Sequence, residues 1–103
     1  MRRTTIIVHP DVEKFINSLD KPTFSKVLRS LDLLENFGYR LEMPHSKKIE
    51  NNLFELRIRG KQEARIFYIF RQEKIILLHG FIKKKQKIPA KEIKKAQIKL
   101  ELI

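Results

Sequence analysis

Three runs in the second half of the chain predict strands. Leu53-Phe54-Glu55-Leu56-Arg57-Ile58-Arg59 alternates strictly after its first residue, so Phe54, Leu56 and Ile58 share one face and Glu55, Arg57 and Arg59 the other. The first face is expected to be core and the second exposed. Ala64 to Arg71 follows a short connection containing Gly60 and is rich in the aromatic and β-branched residues that suit a pleated surface. Ile75 to Ile82 is apolar apart from His79 and Gly80, which predicts a strand covered on both faces and central in its sheet. Near the start, Thr4 to Val8 is a short β-branched run that ends at His9-Pro10 and reads as an outer strand.

Helical spacing occupies the rest. Val12, Phe15, Ile16 and Leu19 make one apolar stripe, with Pro10 in the first turn and Asp11 and Glu13 near the positive helix end. Asp20-Lys21-Pro22-Thr23 interrupts, and a second helix runs to Phe37, with Phe24, Val27, Leu28, Leu31 and Leu34 expected on its buried side and Gly38 as its stop. The tight connection predicts an antiparallel helical hairpin packed on the sheet. Tyr39 to Asn52 reads as a loop, and His45 within it reads either as a site residue on a mobile loop or, the favoured reading, as an ordinary surface histidine. After Ile88-Pro89 a last helix places Ile93, Ala96, Leu100 and Ile103 on one side and Lys91, Lys94, Lys95 and Lys99 elsewhere. Interspersed glutamates and the lack of a Trp or Phe anchor favour core closure over a membrane-surface helix. The expected order is β-α-α-β-β-β-α, an α+β fold with a small, mainly antiparallel sheet.

Length and charge narrow the function. A chain of 103 residues is one domain, 1–103, long enough for a single core. The net charge of +11 is unevenly spread: residues 1–56 carry 9 Lys/Arg and 8 Asp/Glu, whereas residues 57–103 carry 14 and 4. Such a field attracts polyanions, nucleic acid first among them, although an acidic protein or a merely solvated basic face would share the signature. Cysteine is absent, and His9, His45 and His79 have no metal-ligand spacing, so neither a metal nor another cofactor is expected. Met1-Arg2-Arg3 has no apolar stretch behind it, and no run approaches the roughly 18 apolar residues of a membrane span, so a cytoplasmic protein is expected.

Glu55, Arg57 and Arg59 on one strand face, with Arg65 opening the next strand, suit metal-free RNA cleavage. A carboxylate base takes the 2′-hydroxyl proton, and guanidiniums stabilise charge building on the phosphoryl oxygens. The same residues could form only a cross-strand ion-pair ladder.

The blocks Leu53-Phe54-Glu55-Leu56-Arg57, Ala64-Arg65-Ile66-Phe67-Tyr68, Leu77-Leu78-His79-Gly80-Phe81-Ile82-Lys83-Lys84 and Gln86-Lys87-Ile88-Pro89 resemble the second half of HigB-like, phage-related toxins of the RelE/ParE superfamily. That resemblance implies a toxin of a type II toxin–antitoxin pair that cleaves ribosome-bound mRNA and is restrained by a cognate antitoxin, commonly a helix-turn-helix protein. It implies catalytic roles for Arg57 and Arg65 and, as a base, Glu55. It further implies RNA contacts from Arg59, Phe81, Lys83, Lys84, Lys85 and Lys87, with Phe81 stacking on a base. Many relatives supply a Tyr or His near the carboxyl terminus, whereas here neither follows His79. His79 reads as a core histidine. The alternatives are a ParE-like toxin that inhibits a protein target such as DNA gyrase, and a non-catalytic basic nucleic-acid-binding domain.

Overall fold

The computed structural model describes residues 3–103; Met1 and Arg2, which opened the segment read above for a leader, lie outside the described residues. Strand β1 (Thr5–Val8) is followed by helices α1 (Pro10–Asn17) and α2 (Lys21–Phe37), strands β2 (Ser46–Glu50), β3 (Leu53–Ile58), β4 (Ala64–Arg71) and β5 (Lys74–Ile82), and helix α3 (Ala90–Glu101). The five strands form one sheet in the order β1-β5-β4-β3-β2. β1 runs parallel to β5, and every other pair is antiparallel.

Two expectations about the strands need correction. Residues 39–52 are not all loop, because Ser46–Glu50 pairs with β3 as an edge strand. The run Ser-Lys-Lys-Ile-Glu has one β-branched residue, Ile49, no aromatic one, and no apolar alternation to announce a strand. Its conformation comes from the ladder and from Ser46, whose hydroxyl shares a buried hydrogen bond with the Tyr68 hydroxyl. β5 is covered on both faces as expected, but β4 is the middle strand, and it is buried along its length up to Arg71.

The helical hairpin and the sheet enclose one core, in which Val12, Ile16, Val27 and Leu34 meet Leu56, Ile58, Ile66, Tyr68, Ile75 and Leu77. Gly80 lets the Phe15 ring lie against β5, since a Cβ there would come within 2.3 Å of it. Asp20 caps α2 by accepting from the Thr23 N–H at 2.9 Å, so the helix starts directly after the break at Lys21. Leu28, expected inside, is exposed, and Thr23 is buried instead, because only α2 positions facing β3 are covered.

On the opposite face α3 closes a second, smaller core. Ala96, Ile93 and Leu100 cover Leu53, Phe67, Ile69, Leu78 and Phe81, while Ile103, expected on the same side, lies beyond the helix end and is exposed. A bulge in β5 shifts the register between Phe67 and Tyr68 and brings Leu78 and His79 to this face in succession. No helix among the described residues is long and apolar enough to cross a membrane.

Candidate nucleic-acid site

α3 covers only part of the second face; the remainder is the floor of a basic groove. Register aligns Lys47, Glu55, Phe67 and His79 in one row across β2, β3, β4 and β5, and Arg57, Arg65 and Phe81 in the next. Both rows share a face because side chains alternate with period two along each strand. Beyond β5, Lys83 is held beside the start of β4 by donating its N–H to the Glu63 carbonyl at 2.8 Å, which folds Lys83-Lys84-Lys85-Gln86 over the groove. The cavity measures about 710 Å³, and Arg57, Arg59, Arg65, Lys83, Lys84 and Lys85 line it against a lone lining anion, Glu63.

The charges at the floor are buried, contrary to the expected exposed face. Glu55 is 2% exposed and Arg65 1%; the Arg57 side chain is 13% exposed. Alternation correctly assigns the face, but the lysine segment and α3 cover it. Glu55 Oε1 lies 3.6 Å from Arg57 Nε, and Glu55 Oε2 lies 3.6 Å from Arg65 Nε. Those separations are ion pairs beyond hydrogen-bond length. Glu55 Oε2, Arg57 Nε and Arg65 Nε accordingly remain without hydrogen-bond partners.

The two terminal nitrogens of Arg65 each make one hydrogen bond. Its Nη1 donates to the Ala64 carbonyl at 2.9 Å and its Nη2 to Glu63 Oε1 at 3.1 Å. Glu63 also pairs with Arg59 Nε at 3.2 Å and accepts the Gly60 N–H at 2.8 Å. That backbone hydrogen bond, outweighing burial and helped by Arg65 and Arg59, lowers the Glu63 carboxyl below its usual range. Glu63 therefore stays ionised and orients Arg65.

The expected site residues divide by environment. Glu55, Arg57 and Arg65 come together, the two arginines lining the groove and Glu55 lying behind them, while Arg59 stands 63% exposed at the rim and Lys83, Lys84 and Lys85 form the far wall. Lys87 is exposed beyond them and does not line the groove. Phe81, expected to stack on a base, is instead 6% exposed and packed between Phe67 and His79, with ring centroids 5.2 and 6.0 Å away. It belongs to the α3 core. His79 is a core histidine as expected: Lys99 Nζ donates to its Nδ1 at 3.2 Å, so Nε2 carries the proton that goes to Glu92 Oε1 at 2.7 Å. Reading the residues alone missed Glu63, which looks like connection, and Lys47, which the unrecognised strand places opposite Glu55. It also missed Met43, whose sulfur accepts from Arg57 Nη1 at 3.2 Å.

A sheet of this form with a one-sided basic groove defines a small α+β protein, and the same fold occurs in the YoeB dimer from Staphylococcus aureus. The likeness has a TM-score of 0.55 and 20% identity, and covers 73% of this chain and 91% of that one. No curated protein matches the sequence. Residues 14–101 match the family described as Phage derived protein Gp49-like (DUF891), and the chain belongs to that family, one of RelE-like toxins.

Proposed function

We propose that this protein is the toxin of a type II toxin–antitoxin pair, of the HigB-like branch, and that it cleaves ribosome-bound mRNA in the cytoplasm without a metal ion. The observation that carries this reading is the Glu55 carboxylate, buried directly behind the Arg57 and Arg65 lining of a basic groove, 3.6 Å from each guanidinium, with hydrogen-bonding capacity unspent on both sides. Glu55 Oε2 has a free lone pair to accept the 2′-hydroxyl proton. The resulting alkoxide attacks the adjacent phosphate, and Arg57 Nε and Arg65 Nε donate to the phosphoryl oxygens as their charge grows. Arg59, Lys83, Lys84 and Lys85 hold the neighbouring backbone. The products are a 2′,3′-cyclic phosphate and a 5′-hydroxyl. Restraint comes from a cognate antitoxin, expected to be a small helix-turn-helix protein encoded next door.

Brief induction in a bacterial host, with transcriptome-wide mapping of RNA 5′ ends against reading frame, tests this. New ends locked to codon position, and lost in a folded Arg57→Ala variant, are the expected result. Growth arrest without new ends would favour the second reading, a ParE-like toxin acting on a protein such as DNA gyrase. The absence of any Tyr or His after His79 favours that alternative. No arrest at all would leave a basic nucleic-acid-binding domain.

A further inference from the structure

The cleavage chemistry needs a proton donor for the departing 5′-oxygen, and the obvious sources are poor ones. Both nitrogens of His79 are committed, to Glu92 and Lys99, inside the α3 core. Lysine, as a side-chain type, is a weaker general acid near neutrality than imidazole. We propose that His45, resting on the nuclease reading above, is the general acid of this site.

Strand pairing locates it. Ser46 turns its hydroxyl to Tyr68 in the hairpin core, so Lys47 falls on the opposite layer, that of Glu55, while His45 is the turn residue that leads into β2, outside the groove lining. The register pairs Ser46 with Leu56 and Lys47 with Glu55. One step further brings His45 opposite Arg57, and the Arg57 N–H donates to the His45 carbonyl at 2.9 Å. The backbone of His45 is thus tied directly to Arg57, so a phosphate held by that guanidinium would lie between Glu55, two residues along the same strand, and the residue at 45.

The backbone at His45 is held, while its ring is free. The His45 and Ser46 N–H groups both donate to the Glu42 carbonyl, at 2.9 and 3.2 Å, and Met43 bonds the Arg57 guanidinium. The side chain is exposed, and among the described residues no hydrogen bond or ion pair engages its imidazole. Imidazole is the side chain suited to exchanging a proton near neutrality. In the step assigned to it, the 2′-oxygen–phosphorus bond forms, the phosphorus–5′-oxygen bond breaks, and the protonated ring of His45 transfers its proton to that oxygen. Glu55 has meanwhile taken the 2′-hydroxyl proton, so protons balance over the reaction.

The test uses programmed ribosomes carrying an mRNA with either the natural linkage or a 5′-bridging sulfur at the mapped cleavage site. Sulfur leaves without an acid's help. Single-turnover rates for His45→Ala and His45→Gln are expected to fall at least about 100-fold on the natural linkage and to match the parent on the sulfur linkage. Glu55→Gln should be slow on both, because each substrate needs the base. Unchanged cleavage of the natural linkage by the His45 variants would overturn the proposal, as would equal slowing on both substrates, which marks a positioning role. If the parent protein cuts neither RNA, the nuclease reading itself fails and takes this assignment with it.

Discussion

Glu55 and Arg65 make the site a matter of stability as well as chemistry. A surface ladder could lose one member at little cost, but here each charge is buried and leans on the other at 3.6 Å. Removing one partner of a buried pair leaves the other uncompensated, at a cost of about 3–5 kcal/mol. Arg65→Ala is therefore expected to lose cleavage and also to lower the urea unfolding free energy by about 3 kcal/mol, because Glu55 then keeps only Arg57 and Glu63 loses its buried partner. Arg57 sits nearer solvent, so Arg57→Ala should abolish cleavage at less than half that destabilisation. Equal, negligible shifts in unfolding midpoint for the two variants would mean that the floor is wetter than the geometry implies. Arg57→Ala is the better probe of activity for this reason.

At the scale of elements, legibility followed how much each segment owed to its own residues. The helices, β3, β4 and β5 announce themselves through apolar periodicity, and Asp20 and Gly38 mark the limits of α2. β2 was illegible because Ile49 alone in Ser46–Glu50 prefers a strand; a partner strand and a hydroxyl pair impose the rest. That has a measurable consequence. Burial raises the Tyr68 phenol above its usual value, the Ser46 hydrogen bond opposing the shift only in part. Ser46→Ala leaves the Tyr68 hydroxyl unpaired and should cost about 1–3 kcal/mol, much of which Tyr68→Phe in the same chain should restore. Additive losses in that double-mutant cycle would refute the pairing.

α3 carries the element-scale dependence on pH. His79 is held below the ordinary histidine value chiefly by desolvation, with the Lys99 and Lys95 charges acting the same way and Glu92 opposing. The folded state thus prefers neutral His79. Its contribution is fully present above the unfolded value near 6.5 and is lost as the pH falls through the lower, folded value. Lys99 also reaches Asp11 at 3.1 Å, so the links from Glu92 through His79 to Lys99 tie α3 to β5 and α1. Comparing urea midpoints of the parent and His79→Gln across pH 7 to 5 should show the parent losing more stability as acid is added. Parallel curves would remove His79 from the pH response.

For the whole molecule, charge distribution organises binding. The excess of basic residues after position 56 was plain in the sequence, yet only folding gathers Arg57 and Arg59 from β3 and its end, Arg65 from β4 and Lys83–Lys85 from the end of β5 around one cavity. The basic residues of α3 do not line that groove, so much of the net charge serves long-range attraction rather than contact. Those two contributions separate under salt. Each phosphate neutralised on a single strand contributes about −0.7 to the slope of log affinity against log salt concentration. With a catalytically silenced Glu55→Gln protein and a short single-stranded RNA, Lys84→Gln and Lys85→Gln should each flatten that slope by about that amount, whereas Lys94→Gln on α3 should leave it nearly unchanged. An α3 variant that flattens the slope as much as Lys84→Gln would place the RNA across the helix rather than in the groove, and would move the phosphate path away from Glu55.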